Sequence, residues 1–297
     1  MHLLPLLRTS RPAFLLITPV QVFLAWMAAI DAHRIVALQD VILVLLAALA
    51  AHISVNALNE YSDFHTGVDA LTQRTPFSGG SGALQRFPES ANLVRYFAWG
   101  ALALVLALGV YFVLVRGDLP LLLLGVLGLV ITLNYTPRLN RHPWLCLVAP
   151  GLGIGVVMVW GSELALSGNL SQAGVYAGLV SFFLVSNLLL LNQLPDIAAD
   201  QKAGRRTFPI AYGAQRSIQM AAVFFGLAIA VIVTGSCAEV LPPLSWIALL
   251  PLLSLPLLLQ GLVRYASQPQ SLVPYLGLNV ILTLSVPILL GIAFLLR

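Results

Sequence analysis

Long runs of apolar residues recur along the whole chain, separated by shorter polar stretches. Nine such runs cover residues 13–30, 38–58, 93–115, 119–135, 144–161, 173–193, 217–234, 241–263 and 273–296. Each has about 17 to 25 residues, the length that an α-helix needs to cross a hydrocarbon core about 30 Å thick. The runs do not alternate apolar and polar residues, as the strands of a membrane barrel do. The pattern predicts an all-α, polytopic membrane protein with nine transmembrane helices, as a single domain over residues 1–297.

Composition supports this interpretation and excludes functions that need a water-soluble domain. Of the 297 residues, 59% are hydrophobic and 9% are charged, and the mean hydropathy is +0.94. Water-soluble domains carry about a quarter charged residues. A soluble enzyme or a soluble nucleic-acid-binding domain is therefore excluded.

The net charge of +4 has to be divided between the two faces of the membrane. With the N-terminus on the cytoplasmic side, 12 of the 15 lysines and arginines lie on that side. Arg34, Arg116 and Arg297 remain on the other side. Because cytoplasmic loops are enriched in Lys and Arg, we predict an N-in, C-out protein of the cell inner (cytoplasmic) membrane.

Two of the predicted cytoplasmic segments, residues 59–92 and 194–216, are longer and more polar than the other connections. Each polar stretch begins with Asn-x-x-x-Asp, at Asn59 and at Asn192, 133 residues apart. Each follows the second helix of a four-helix set. This weak repeat predicts two parallel four-helix units plus one further helix, with both acidic segments facing one cavity.

Helical spacing places the side chains of the first acidic segment on one face. Asn59 and Asp63 are four residues apart and project from the same side of a helix. Asp69 would point elsewhere on a continuous helix, but Gly67 offers a break that lets it fold back toward Asp63.

The second acidic segment repeats this spacing. Asn192, Asp196 and Asp200 are each four residues apart, which predicts an oxygen-lined stripe on one helix. Pro195 removes a backbone hydrogen bond within that stripe. We therefore expect a kink that turns Asp196 and Asp200 toward the cavity.

Carboxylates at the ends of apolar helices need a counter-ion, because each costs about 2.5–3.5 kcal/mol near the bilayer centre. Mg²⁺ prefers hard oxygen ligands and is commonly bound through one or two carboxylates plus substrate phosphates. The predicted metal ligands are Asn59, Asp63, Asp69, Asp196 and Asp200.

Basic residues follow both acidic segments and suit the charge of a diphosphate, which Arg can bind through two parallel hydrogen bonds. The predicted substrate-binding residues are Asn59, Arg74, Arg141, Asn192, Arg205 and Arg206. The predicted catalytic residues are Asp63, Tyr135, Asp196 and Lys202. Neutralising a diphosphate leaving group lets a C–O bond ionise to an allylic carbocation, which an electron-rich ring can capture.

At these residues the sequence resembles the UbiA superfamily of intramembrane aromatic prenyltransferases. The resemblance spans nearly the whole chain, from Arg11-Pro12 before the first helix to Tyr135-x-Pro137 after the fourth and both acidic segments. The stretch Asn192–Gly204 is similar to the family pattern N-x-x-x-D-x-x-x-D-x-x-x-G. The resemblance implies two Mg²⁺ ions, a polyprenyl diphosphate donor and an aromatic acceptor within the lipid bilayer, with no nucleic acid or obligatory protein partner.

The first acidic segment, Asn59 to Asp69, is similar in spacing to the 1,4-dihydroxy-2-naphthoate polyprenyltransferases of menaquinone synthesis. This similarity implies a naphthoate acceptor. Four other acceptors stay open within the superfamily: 4-hydroxybenzoate, homogentisate, haem and a sugar phosphate. A secondary transporter is a further alternative, although its repeats would be inverted and its acidic residues would lie at the midplane.

Overall fold

The computed structural model describes residues 3–32, 35–68, 72, 74–116 and 119–297. These residues form helices and connecting loops, without any β-strand among them, which confirms the all-α prediction. The apolar helices, numbered in chain order, are α1 Pro12–Asp31, α2 Leu38–Thr66, α3 Pro88–Arg116, α4 Leu119–Asn134, α5 Pro143–Ser167, α6 Gln172–Asn192, α7 Phe208–Cys237, α8 Pro243–Tyr265 and α9 Pro269–Leu295.

Eight of these helices are long and apolar enough to cross a membrane, and α4 is the shorter exception with 16 residues. At 1.5 Å per residue, α4 is about 24 Å long, less than the ~30 Å hydrocarbon core. The chain is thus a multi-pass membrane protein. Nine full spans and the N-in, C-out orientation stay predictions.

Proline and glycine residues set many of the helix ends. Pro12, Pro143, Pro243 and Pro269 occupy the first helical positions of their segments, where the missing N–H has no intrahelical partner to lose. Helix α2 extends to Thr66, beyond the predicted residue 58, and ends at Gly67 with a left-handed φ of 74°. The extension carries the first acidic segment on the helix itself.

Helix α6 lies at the centre of the bundle. Two-thirds of its most apolar stretch (67%) is buried inside the protein, against 17% for α3. Leu184 of α6 belongs to the main apolar core together with Leu24 of α1, Phe225 of α7 and Leu290 of α9. Helix α4 has no buried residue, so α3 and α4 form the least buried side of the bundle.

Helices α5 and α6 approach each other closely where glycines replace side chains. A Cβ atom added to Gly151 or Gly155 would collide with the backbone of Phe182. Both glycines lie in Gly151–Val157, a π-helical stretch inside α5. Such stretches widen a helix locally and are frequent at functional sites. The close approach fixes α5 against the central helix.

We expect Gly155→Ala to destabilise the protein by about 1–3 kcal/mol, because backbone cannot move aside for the added methyl group. Gly100→Ala is the matched control, since a Cβ at Gly100 meets nothing within 4 Å. That change should leave stability the same or raise it by about 0.5–1 kcal/mol through helix propensity. Thermal unfolding of both variants in detergent measures the difference. Equal midpoints would contradict the close-packing argument.

Candidate active site

A cavity of about 380 Å³ opens among α2, α3, α4 and α5, with both acidic segments at one end. Its lining includes seven of the residues selected from the sequence: Asn59, Asp63, Tyr135, Asn192, Asp196, Asp200 and Arg205. The prediction that the two segments face one cavity is therefore confirmed.

The first acidic segment is a continuation of α2, as its spacing predicted. Asn59 Nδ2 donates to Asp63 Oδ2 over 3.2 Å, and Asp63 is 4% exposed. Gly67 ends the helix directly afterwards. Asp69, the fifth predicted metal ligand, lies outside the described residues.

The second acidic segment differs from the predicted stripe. Helix α6 ends at Asn192, and a separate short helix, Ile197–Lys202, carries Asp200. The expectation of one kinked helix is wrong, because Pro195 has no N–H to continue the hydrogen-bond ladder and disfavours a helical residue before it. The turn brings Asp196 to the start of the short helix, and Asn192, Asp196 and Asp200 still line the cavity.

Arg205 joins the two acidic segments. Its Nη1 donates to Asp200 Oδ1 over 2.7 Å, and its Nη2 forms an ion pair with Asp63 Oδ1. The side chain of Arg205 is 17% exposed and those of both aspartates are 6% exposed. A single guanidinium thus balances carboxylates that are 137 residues apart in the sequence, Asp63 and Asp200.

Glu60 is a buried acid that the sequence interpretation missed. Its carboxylate is fully buried and accepts from Arg11 Nε over 2.7 Å and from Ser81 N over 2.8 Å. Ser81 Oγ donates to the second oxygen over 2.5 Å. Glu60 therefore connects α2 to the chain before α1 and to the glycine-rich loop, defined here as residues 78–82.

The glycine-rich loop reaches from Glu60 to the second acidic segment. Gly79 N donates to Asp196 Oδ2 over 3.0 Å. Gly79, Gly80 and Gly82 have φ values of 84°, 69° and 67°, a left-handed conformation that favours glycine. Ser78, Gly79 and Gly80 line the cavity, so the loop covers its polar end.

Tyr135, directly after α4, is partly buried and lines the same end of the cavity. Burial raises the pKa of its hydroxyl well above the usual value, and the nearby Cys146 thiol adds to this rise. Gln193 Nε2 donates to Cys146 Sγ over 3.3 Å. The phenol therefore keeps its proton at neutral pH and can serve as a hydrogen-bond donor, whereas it is a poor base.

Burial raises the pKa of Asp196 to about 7, with a further contribution from the charge of Asp200. Burial also raises the pKa of Asp200, against the opposing effect of Arg205. Asp196 Oδ1 and both polar atoms of the Asn192 side chain are buried without a hydrogen-bond partner. The two oxygens, Asp196 Oδ1 and Asn192 Oδ1, are suitable ligands for a hard cation.

The residues present fit a Mg²⁺ site that substrate phosphate oxygens complete. Within the described residues, which leave out Asp69, no group of three or more His, Cys, Asp or Glu side chains could hold a metal alone. Mg²⁺ commonly takes one or two carboxylates and completes its shell with water and substrate phosphate. Asp63, Asp196, Asp200 and Asn192 offer such partial ligand sets.

The other predicted basic residues lie at the surface. Lys202, Arg206, Arg141 and Arg74 are all exposed, and none belongs to the cavity lining. Arg74 packs against Gly79 and Gly82. The arginines that do line the cavity are Arg205 and Arg11.

The rest of the cavity is apolar and extends along α2. Its lining runs from Asp63 back to Val44 on α2, and Phe112 and Ala165 lie at the far end. Val44 and Asp63 are 19 residues apart, which corresponds to about 28 Å of helix, close to the thickness of the hydrocarbon core. The site can therefore hold an anion at its polar end and a long apolar chain beyond it.

The chain matches a known family along most of its length. The model of the UbiA prenyltransferase family matches residues 20–281. A 1,4-dihydroxy-2-naphthoate octaprenyltransferase from Bacillus subtilis is 26% identical over 200 residues, which are 65% of this chain and 63% of that protein. A protein of the same name from Haemophilus influenzae is 24% identical over 266 residues, 86% of this chain and 83% of that protein.

Solved structures share the fold. A UbiA homologue from Archaeoglobus fulgidus, bound to DMAPP and Mg²⁺, has a TM-score of 0.61 and 17% identity, over 97% of this chain and 98% of that one. A digeranylgeranylglyceryl phosphate synthase has a TM-score of 0.70 and 14% identity, over 100% and 99% of the two chains. At these identities the likeness shows the arrangement of helices.

We expect Glu60→Ala to lower the free energy of unfolding by about 3 kcal/mol, the lower end of the range for breaking a buried pair. The lower end applies because the side chain of Arg11 is 24% exposed to solvent, which weakens the ion pair. Release of the glycine-rich loop should also speed trypsin cleavage after Arg74. Glu89→Ala, at an exposed acid, is the control. Unchanged unfolding and proteolysis in Glu60→Ala would show that Glu60 does not hold the loop.

Proposed function

The chain belongs to the UbiA prenyltransferase family, and we propose that it transfers a polyprenyl group from polyprenyl diphosphate to 1,4-dihydroxy-2-naphthoate in menaquinone biosynthesis. One observation supports the chemistry above all others. Two aspartate segments and a partly buried arginine share the polar end of a cavity whose apolar part extends along a membrane-spanning helix. That combination suits a substrate with an anionic head and a long hydrocarbon tail.

The acidic residues supply ligands for Mg²⁺. We assign this role to Asn59, Asp63, Asp196 and Asp200, and to Asp69 from the sequence pattern. Bound Mg²⁺ supplies positive charge that stabilises the departing diphosphate. Asn192, whose amide atoms are buried and unpaired, can orient a ligand or a water molecule beside Asp196.

Arg205 and the exposed cations have different parts in binding the diphosphate. Arg205 lies inside the cavity and can present its planar fork to two phosphate oxygens. Lys202, Arg206 and Arg74 are exposed in the two polar segments, and Arg141 is exposed in the connection between α4 and α5. They raise the local concentration of an anionic substrate through long-range attraction.

The apolar part of the cavity holds the prenyl chain and keeps water from the reactive carbon. Side chains such as Val44, Phe112 and Ile154 line it. The prenyl C–O bond to the diphosphate breaks, and the new C–C bond forms to an aromatic ring carbon, which loses its proton. Tyr135 keeps its own proton because its pKa is raised, so it orients the acceptor or diphosphate by donation.

The naphthoate acceptor rests on two lines of support. The curated relatives from Bacillus subtilis and Haemophilus influenzae are both named as 1,4-dihydroxy-2-naphthoate octaprenyltransferases. The Asn59-to-Asp69 spacing points to the same branch.

We propose that the acidic face is cytoplasmic, in the cell inner membrane. On the opposite face, Arg116 pairs with Asp40 over 2.8 Å and Arg297 pairs with Asp31 over 2.7 Å. Arg34, the third cation predicted there, lies outside the described residues. In this orientation 12 of the 15 lysines and arginines are on the acidic face, which is the asymmetry that the positive-inside rule describes.

Turnover of purified full-length protein with Mg²⁺ and a polyprenyl diphosphate tests the proposed function. The acceptor panel contains 1,4-dihydroxy-2-naphthoate, 4-hydroxybenzoate, homogentisate and haem, with mass spectrometry of the products. We expect diphosphate release and a prenylated naphthoate. Prenylation of another member instead would overturn the acceptor assignment, and no turnover with any of them would overturn the proposal.

Asp196→Asn identifies the site responsible for that turnover. We expect a loss of at least about 100-fold in kcat, because a carboxylate that organises charge in the transition state is removed. Glu89→Gln, at the surface of the same face, should retain activity. Membrane insertion and thermal stability of Asp196→Asn show whether the loss is one of folding. Full activity would exclude Asp196 from the mechanism.

Turnover should depend on pH through Asp196. Its pKa is raised to about 7, and metal binding requires the carboxylate form. Below that pH a proton must be displaced, so the apparent Mg²⁺ affinity falls by about tenfold per pH unit, and above it the affinity levels off. Measuring the Mg²⁺ dependence of turnover between about pH 5.5 and 8 shows whether the apparent Mg²⁺ affinity falls on acidification. An affinity that rises on acidification contradicts it.

A further inference from the structure

The guanidinium of Arg205 binds the same oxygens that a metal ion needs. Asp200 Oδ1 accepts from its Nη1 over 2.7 Å, and Asp63 Oδ1 pairs with its Nη2. Arg205, Asp63 and Asp200 are all largely removed from solvent. In such surroundings ion pairs are screened far less than at a surface.

We infer that Arg205 is a built-in counter-cation that makes metal binding by the two acidic segments conditional on the diphosphate. The inference rests on the proposed function and assigns to that site an order of ligand binding. Metal alone competes with Arg205 for Asp63 and Asp200. A diphosphate removes the competition by offering Arg205 another partner.

The competition follows from geometry and charge. Mg²⁺ binds carboxylate oxygens at about 2.0–2.1 Å and demands near-octahedral geometry. A guanidinium donating to the same Asp200 oxygen occupies part of that approach. It also adds a positive charge within a few ångströms of the incoming ion. Metal binding therefore has to displace Arg205 or accept its repulsion.

A diphosphate offers Arg205 a partner other than the two aspartates. Phosphate oxygens match the planar fork of Arg bidentately, and Arg205 already lines the cavity. When Arg205 turns to the diphosphate, both aspartates lose the cation that competes with a metal. By linkage, the metal must then strengthen diphosphate binding by the same factor.

The adjacent residue provides a matched control. Arg206 carries the same charge one position along the chain, but its side chain is exposed. Its backbone N–H donates to Asn140 O over 2.9 Å, a contact that a side-chain substitution keeps. Arg205→Gln and Arg206→Gln therefore remove equal charge, the first from a partly buried position and the second from an exposed one.

The test titrates purified full-length protein with Mn²⁺, followed by electron paramagnetic resonance, without diphosphate. Arg205→Gln should bind Mn²⁺ about tenfold more tightly than the wild type, within the ~5–150-fold range typical of coupled sites. Arg206→Gln should stay within about twofold, because an exposed charge is screened. Repeating the titrations at one fixed concentration of inorganic diphosphate should show a smaller enhancement for Arg205→Gln than for the wild type.

Arg205→Lys is a second test variant, which keeps the experiment decisive if the glutamine variant does not fold. It keeps the charge but loses the fork that contacts both aspartates at once, so its Mn²⁺ affinity should lie between those of wild type and Arg205→Gln. Thermal midpoints report whether each variant is folded. If folded Arg205→Gln and Arg205→Lys bind Mn²⁺ no more tightly than the wild type, the inference is overturned.

A double variant, Asp63→Asn with Asp200→Asn, separates this inference from the function on which it rests. Loss of Mn²⁺ binding with diphosphate present supports the metal site. If the double variant loses binding while Arg205→Gln gains none, the counter-cation role fails and the proposed function stands. If the double variant binds Mn²⁺ as the wild type does, both fail.

Discussion

The ion pairs from Arg205 to Asp63 and Asp200 determine how the two halves of the chain meet. Carboxylates beside a hydrocarbon interior are costly, and breaking a buried pair by removing one partner typically costs about 3–5 kcal/mol. The end of α2 and the segment after α6 must therefore stay together around this guanidinium. Glu60 applies the same constraint to Arg11 and the glycine-rich loop. Charge balance thus shapes the polar end of the bundle.

Local features of the site were predictable from the sequence, and features set by distant contacts were not. Asn59, Asp63 and Gly67 follow from helical spacing and a glycine cap. The effect of Pro195 was misjudged, because a proline can kink or end a helix and tertiary contacts decide which. Glu60 was missed because its partners Arg11 and Ser81 are 49 and 21 residues away. A signal existed: a glutamate on a membrane helix requires a partner.

Glycine residues, which have no side chain, line the apolar part of the cavity. Gly125 and Gly128 of α4 and Gly153 and Gly161 of α5 line it. A Cβ atom added at Gly125 or Gly161 would meet nothing within 4 Å, whereas one added at Gly128 would lie 3.1 Å from Val157 Cγ1. Gly125 and Gly161 therefore leave open space in the cavity, and Gly128 lets α4 approach α5 closely. The sequence displays these glycines plainly, but periodicity alone does not reveal that they line one cavity.

The partly buried Arg205 and the exposed cations near the site differ in the range over which they act on an anion. Exposed charges such as Lys202 and Arg206 are screened and contribute little to static affinity, yet their summed field extends to an approaching anion. Arg205 acts over a short range in a poorly solvated place, where each contact is stronger. On the proposed function, the exposed cations govern how fast the diphosphate arrives, and Arg205 governs how it is held. The positive charge at this face thus serves substrate capture as well as topology.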